Sequence, residues 1–372
     1  MKFKVKKKDF YTAIQNLIGV VPPKTTIPIL SNILLELEGN TLSLLGTDLE
    51  VSVSTRLEVQ GDKNGSVAVP AKILFEIVRE LPEIAIDFIC DEENKVTLNT
   101  PKGFYRLSGE PKEDFPKIQI ADTPPDFSIA AGRFSEMIDK TIFAVSSDEL
   151  RTTLMGVFLK TIENELRIVA TDGHRLVKIV DKGFAKNAPP GEAIIPTKAL
   201  TLLTKNLQKT TEIKVKLNED HIIFKLENSN IYSKTIDGQF PNYERVIPID
   251  NDKRLIVNRE LIVAAIRRVA IFSNSITHQV RLSLSKNLVK IQSEDIEFGG
   301  EALESIEADY GGEDLEIGYN ANYLLDILRH LDTEDVLFQI KDPISAGIVY
   351  PGVQQDNQEV LMLLMPIRLN ED

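Results

Sequence analysis

The residues whose chemistry stands out are Asp172-Gly173-His174-Arg175, where a carboxylate, an imidazole and a guanidinium fall within four positions. Groups of these types can move protons, hold a metal or grip an anion. Hydrolysis by this set needs a nucleophile for the imidazole to activate, and the sequence has no Gly-x-Ser-x-Gly elbow. It has no glycine-rich phosphate loop and no His-Glu-x-x-His. His174, His221, His278 and His330 lie far apart with no ligand spacing, and Cys90 stands alone. The expectation is a chain with no catalytic residue, no metal site and no cofactor. A hydrolase built on Asp172 and His174 is the alternative, and His174→Ala in a turnover assay would reveal it.

The same stretch organises the chain. Leu44-Leu45-Gly46-Thr47-Asp48-Leu49-Glu50 echoes Ile168-Val169-Ala170-Thr171-Asp172 from 124 residues upstream, and Ile291-Gln292-Ser293-Glu294-Asp295-Ile296-Glu297 follows about 122 residues downstream. Pro116, Pro241 and Pro366 are spaced 125 apart. Val69-Pro70-Ala71-Lys72, Ile195-Pro196-Thr197-Lys198 and Tyr319-Asn320-Ala321-Asn322 take equivalent slots. Regular recurrence of this kind marks one structural unit written three times.

Each unit opens with an amphipathic pattern: Phe10, Ile14, Leu17 and Ile18; then Phe134, Met137, Ile138 and Phe143; then Leu261, Ile262, Ala265, Ile266 and Val269. Alternating stretches such as Leu42-Ser43-Leu44 and Leu166-Arg167-Ile168 read as half-buried strands, with Asp48, Asp172 and Glu294 in the turns between paired strands. A second helix starts near Pro70, Pro196 and Asn320, and strands resume over 85–98, 212–225 and 335–349. Polar, proline-bearing stretches at 111–126 and 241–253 separate the copies. The fold class expected is α+β: three repeated domains over 1–120, 121–247 and 248–372, each with two helices on an antiparallel sheet.

A hydrophobic share of 42% and a charged share of 27% over 372 residues place the chain among soluble globular proteins. No apolar run is long enough to span a membrane. The opening Met1-Lys2-Phe3-Lys4-Val5 lacks a signal-peptide core, so the cytoplasm is the expected location. The net charge of −13 argues against nucleic-acid binding by overall attraction. Where the cations fall matters more. Lys72 and Arg79, Lys198 and Lys205, and Asn322 and Arg329 occupy equivalent places on the expected outer face of the second helices, with Asn16, Lys140 and Arg267 in near-equivalent slots on the first. Donors repeated on one face suit phosphates, whereas a scaffold of three repeats that touches no nucleic acid is the competing reading.

Gly173-His174-Arg175-Leu176 has no match in the other copies, so something besides the shared fold selects it. Phe240-Pro241-Asn242-Tyr243, Val246 and Met365-Pro366-Ile367-Arg368-Leu369 fall near it in the repeat scheme, and apolar side chains framed by a few polar groups suit a short peptide.

These residues together resemble a known family. Met1-Lys2-Phe3, Pro28-Ile29-Leu30, Gly46-Thr47-Asp48-Leu49-Glu50, Val69-Pro70-Ala71, Ala170-Thr171-Asp172-Gly173-His174-Arg175-Leu176, Asp237-Gly238-Gln239-Phe240-Pro241 and Met365-Pro366-Ile367-Arg368-Leu369 are similar to the β subunit of bacterial DNA polymerase III, the sliding clamps. The resemblance spans the whole chain. It implies a homodimer closing head to tail into a six-domain ring, which encircles duplex DNA without reading its sequence and makes the chain a non-catalytic processivity factor. It implies duplex contacts at Lys24, Lys72, Arg79, Lys198 and Lys205. It implies a partner-peptide pocket at Arg151, Leu154, Thr171, Gly173, His174, Arg175, Leu176, Pro241, Val246, Ile344, Met365, Pro366, Ile367 and Arg368. The polymerase III catalytic subunit, the clamp loader, other polymerases and repair proteins would dock there through short segments with glutamine and apolar anchors. Ring closure is implied at Tyr105 and Leu107 against Ile271 and Phe272, with Lys102 and Arg106 facing Glu301 and Glu304. Three departures stand out: Lys24 where relatives carry arginine, Thr152 and Thr153 where they carry aromatics, and the extra tail Asn370-Glu371-Asp372.

Overall fold

The computed structural model describes residues 1–118, 124–183, 188–207, 210–295 and 299–369, so the tail Asn370 to Asp372 lies outside the described residues. The chain divides into two compact units. The first is Met1–Phe134 with Ile195–Thr235, and the second is Ser135–Ile194 with Ile236–Asp372.

The helices among the described residues are α1 (Lys7–Ile18), α2 (Ala71–Glu80), α3 (Ala131–Asp139), α4 (Thr197–Asn206), α5 (Arg259–Val269) and α6 (Ala321–Arg329). They fall two to a copy. Each first helix is preceded by a short strand, Lys2–Lys6, Phe127–Ala130 or Lys253–Asn258, which the helical patterns had overshadowed. In the first of these Phe3 and Val5 point inward while Lys2, Lys4 and Lys6 stay exposed, a period-two burial that only a strand produces. Phe3, Phe10 and Phe88 then lock strand, helix and following sheet together, with rings 4.7 Å apart in the stacked pair Phe3–Phe88 and 6.2 Å in the edge-on pair Phe3–Phe10.

The predicted stripes need adjustment at their ends. Phe10, Ile14 and Leu17 are buried with Ala13, and Ile18 is only half-buried. Leu261 is 55% exposed, its expected place in the core taken by Val263. Phe143 lies beyond α3, in the one-turn 3-10 helix Ile142–Ala144. Pro70 and Pro196 occupy the cap positions of α2 and α4 and not the first helical turn, because each still ends a strand. At α5 and α6 the caps are Asn258 and Asn320, whose side chains accept two backbone N–H groups each.

In the first unit an eight-stranded sheet joins strand Ser229–Lys234 to Val51–Glu58, and a separate five-stranded sheet ends at Gly103–Ser108. In the second unit a nine-stranded sheet joins Gln358–Leu364 to Arg175–Asp181, and a four-stranded sheet ends at Gly300–Glu307. The turns at Asp48 and Asp172 connect paired strands, as expected. Glu294 does not occupy a turn. It pairs with Glu301 inside a ladder that continues to Asp295 and Gly300, and Ile296 and Glu297 lie outside the described residues. Among the described residues no helix is long and apolar enough to cross a membrane, and no group of three or more histidine, cysteine or acidic side chains could hold a metal ion.

Candidate functional site

The Asp172 turn belongs to the second unit and is built by its own side chains. Asp172 Oδ1 accepts the N–H groups of His174 (2.9 Å) and Arg175 (3.0 Å), and Thr171 Oγ1 accepts that of Gly173. Gly173 has φ +89°, a left-handed conformation that glycine adopts freely. At the equivalent position of the first copy Leu49 adopts φ +79°, and Asp48 Oδ1 caps that turn by the same two bonds, to Glu50 and Val51. So Asp172 is a turn former. The arrangement that looked catalytic is local backbone satisfaction, with a histidine that is exposed and stacked 6.0 Å from the Tyr323 ring.

Arg175 does not face solvent at a rim; it is 8% exposed. Nε donates to Asp172 (3.1 Å), Nη1 to Asp326 on α6 (2.6 Å) and Nη2 to the Phe143 carbonyl (2.7 Å). Its guanidinium also lies over the rings of Phe143 (5.2 Å) and Tyr323 (4.6 Å). Every edge of the fork is engaged, so its role is to fasten the turn to α6. Sequence spacing could not show this, since Asp326 is 151 residues away.

Beside the turn lies a buried apolar floor of Leu154, Phe158, Val169, Leu176, Ile194, Phe240, Tyr243, Ile348, Leu361 and Leu363. Phe158 and Phe240 stack at 4.7 Å. Ile247 and Ala346 pack on this floor, while nearby in sequence Val246 (57%) and Ile344 (63%) remain exposed. Each is held by polar anchors. Glu244 takes Arg167 (3.2 Å) and Lys178 (3.1 Å), which fixes the one-turn helix Tyr243–Val246 that follows Pro241. Asp342 accepts the N–H groups of Ile344 (3.0 Å) and Ser345 (2.7 Å). Met365 N–H donates to the His174 carbonyl and Ile367 N–H to that of Gly318, each at 2.8 Å, which brings Met365 to Arg368 alongside the turn. Met365 is 42% exposed, Pro366 and Ile367 are half-buried and Arg368 is exposed. Arg151 donates to the Asp172 carbonyl (2.8 Å) and pairs with Asp148. Thr153, in the helical turn Thr152–Leu154, packs against Gly238, where a Cβ would come within 2.7 Å of its methyl group. The predicted pocket residues thus share one neighbourhood, except that Arg175 serves behind the turn; Glu244, Asp342, Tyr323 and Asp326 were missed because partners distant in sequence give them their roles.

The five residues implied as duplex contacts, Lys24, Lys72, Arg79, Lys198 and Lys205, all belong to the first unit. Lys24, Lys72 and Lys205 are exposed, with no partner among the described residues. Arg79 is exposed and paired with Glu80 (2.8 Å). Lys198 differs: its ammonium bonds Asp48 (2.5 Å) and the Val20 carbonyl (3.1 Å), so it fastens the first turn to α4. In the second unit Arg329 is exposed and lies 3.7 Å from Asp326. Lys140 is a correction. It is 8% exposed and clasped by Glu136 (2.5 Å) and Asp332 (2.7 Å), so it is buried against two carboxylates and not presented to a phosphate.

Two sheet edges carry the remaining predicted residues. Tyr105, Arg106 and Leu107 lie on the edge strand Gly103–Ser108 of the first unit, where Phe104 is also 58% exposed, and Lys102 is in the turn just before it. Glu301 and Glu304 lie on the edge strand Gly300–Glu307 of the second, with Leu303 54% exposed, and Ile271 (76%) and Phe272 (40%) stand beside it after α5. Glu304 is held by Arg268 (2.6 and 2.5 Å), a bond that keeps its carboxyl below the usual range.

Family models for the DNA polymerase III beta subunit match three segments: the N-terminal domain over residues 1–119, the central domain over 128–242 and the C-terminal domain over 244–368. The chain is 36% identical to the beta sliding clamp of Pseudomonas aeruginosa over 371 residues, covering 99% of this chain and 100% of that protein. It is 33% identical to that of Escherichia coli K12 with the same coverage. Among solved structures, it superposes on the P. aeruginosa DNA polymerase III subunit beta with a TM-score of 0.92 at 35% identity, covering 99% of this chain and 100% of that one. The same species' sliding clamp bound to griselimycin gives 0.93 with the same coverage and identity. The Bacillus subtilis sliding clamp gives 0.93 at 27% identity, covering 100% of both chains.

Proposed function

This chain belongs to the DNA polymerase III beta-subunit family, the beta sliding clamps, and we propose that two copies close head to tail into a ring that slides on duplex DNA and tethers the replicative polymerase. It is the processivity subunit of that polymerase and not a catalyst.

The observation that carries the ring is the pair of incomplete sheets. The nine-stranded sheet runs, from one edge, through Lys253–Asn258, Asp335–Ile340, Gly347–Pro351 and Gln358–Leu364, and on to Arg175–Asp181 and its hairpin partners. The five-stranded sheet holds the first half of this order and stops at Gly103–Ser108; the four-stranded sheet holds the second half, starting at Gly300–Glu307. An unpaired strand edge is a template for another strand. Joining these two edges between chains rebuilds the completed sheet, and doing so twice closes a two-fold ring.

The repeat also predicts the register. In the completed sheets Val215, Phe224, Ile231 and Val53 lie in one row, as do Phe338, Val349, Met362 and Val177. Val53 and Val177 each stand six residues past the end of the preceding strand, at Thr47 and Thr171. The third row, Phe88, Leu98 and Tyr105, lacks its fourth member. The same offset from Asp295 supplies Glu301, which sets Tyr105 opposite Glu301 and Lys102 opposite Glu304. Where the two seams within a chain put valine, the seam between chains puts a carboxylate. That makes it the weaker seam, the one a loader opens.

On this reading Lys24, Lys72, Arg79, Lys198 and Lys205 face the duplex, and partner peptides seat on the floor between Val246, Ile344 and Met365. The domains are 1–120, 121–247 and 248–372. Equivalent hydrogen bonds closing each copy support them: Ala68 with Glu110, Ile236 to Ile194, and Ile367 to Gly318. The protein works in the cytoplasm. A ring resolves the charge of −13, since topology holds the DNA and few phosphate contacts are needed.

The test is retention on nicked circular DNA after loading, before and after linearisation, at low and moderate salt. Retention on circles with rapid loss from linear ends supports the ring. Equal retention on both, falling steeply with salt, would overturn it in favour of phosphate binding.

A further inference from the structure

One carboxylate stands between the peptide floor and a cation on a predicted DNA-facing helix. Asp326 Oδ2 accepts from Arg175 Nη1 at 2.6 Å, and its Oδ1 lies 3.7 Å from Nη1 of Arg329, one helical turn along α6. The two partners differ. The Arg175 side chain is 10% exposed, whereas that of Arg329 is 46% exposed, and Asp326 itself is 35% exposed. We infer that Asp326 is a positioning residue for the peptide pocket, shared between Arg175 and Arg329, and that a phosphate drawing Arg329 away strengthens the hold on Arg175 and so favours partner binding on DNA. This rests on the clamp reading of both surfaces.

The path from Asp326 to the pocket is short and made of bonds already described. The Arg175 guanidinium lies over the rings of Phe143 and Tyr323, and His330 stacks on Phe143 at 4.1 Å while bonding the Asp326 carbonyl at 2.7 Å. Arg175 Nε holds Asp172 Oδ2, and Asp172 Oδ1 sets the N–H groups of His174 and Arg175. The His174 carbonyl in turn holds Met365. A buried guanidinium must keep its anionic partners, since losing one leaves an uncompensated charge. A carboxylate divided between two guanidiniums serves each less well than one serving Arg175 alone. The effector here is a phosphodiester, and the coupling requires differential interaction at Arg329 and nothing more.

The experiment measures affinity for a fluorescent short peptide with a glutamine and apolar anchors, using the full-length protein free and loaded on circular DNA. Arg329→Gln should tighten peptide binding roughly two- to fivefold, the scale of a half-exposed ion pair. Asp326→Asn should weaken it about tenfold or more. Loading on DNA should tighten the wild type as Arg329→Gln does, and add nothing to that variant. Opposite signs at neighbouring positions are what distinguish sharing from a structural role, since a general loosening of α6 would weaken binding in both. Arg329 is exposed, so its variant keeps the test valid should Asp326→Asn fail to fold. Unchanged or weaker binding in Arg329→Gln would overturn the sharing. Absence of peptide binding by the wild type would overturn the pocket reading itself, and the coupling with it.

Discussion

Ile271→Ala tests ring closure quantitatively, because a head-to-tail two-fold ring contains the same seam twice. Full burial of an isoleucine side chain contributes about 1.5–3 kcal/mol. Ile271 is 76% exposed in the single chain and stands beside the open edge Gly300–Glu307, so nearly all of that burial is available to a partner. Alanine keeps one methyl group, which leaves a loss of about 1–2 kcal/mol at each seam. Two seams lose about 2–4 kcal/mol, roughly a 30- to 700-fold rise in the dimer Kd. The assay is sedimentation velocity across a dilution series, wild type against variant. A dimer joined at one seam only would shift by about the square root of that, roughly 5- to 30-fold. An unchanged Kd would refute the placement of the seam at Ile271, and the smaller shift would refute closure.

Gly173→Ala forces a Cβ into a left-handed turn, so it should cost about 1–2 kcal/mol in urea unfolding and weaken peptide binding; no change in either would show that the turn does not need glycine. Lys198→Ala and Asp48→Ala should each lower the melting temperature and combine non-additively by roughly 0.5–1 kcal/mol, while Lys72→Ala leaves stability unchanged. Lys72→Glu and Lys205→Glu should each shorten residence on circular DNA, and an unaffected residence time for Lys72→Glu would remove that residue from the duplex path. The backbone and hydroxyl donors around Asp342 outweigh its partial burial and hold its carboxyl below the ordinary 3.8. A group depressed in the folded state contributes stability above its unfolded pKa and loses it as pH falls through the folded one. The Ile344 turn should therefore persist to below pH 3.8, read from the carboxyl carbon resonance of Asp342, and Asp342→Ala should weaken peptide binding at every pH. A titration midpoint at or above 3.8 would contradict this.

Spacing alone made the threefold repeat, the two helices per copy and the turns at Asp48 and Asp172 legible, because periodic burial and turn chemistry are local. Motifs also picked out the residues of the proposed pocket, and the Met365 N–H to His174 carbonyl bond brings the contiguous pieces Gly173-His174-Arg175-Leu176 and Met365-Pro366-Ile367-Arg368 together. What the chain could not announce was which side chains are already engaged. Lys198 and Lys140 share a charge and an expected outward face, yet one fastens Asp48 and the other is buried between Glu136 and Asp332. Arg175 resembles a pocket arginine until Asp326, 151 residues away, fixes it behind the turn. The repeat set the period, but strand pairing decided the compact units: Ser229–Lys234 of the middle copy completes the sheet of the first, so the middle copy is divided between two units. Those outcomes depend on partners that only folding brings within a few ångströms, where burial and charge compensation outweigh any local preference.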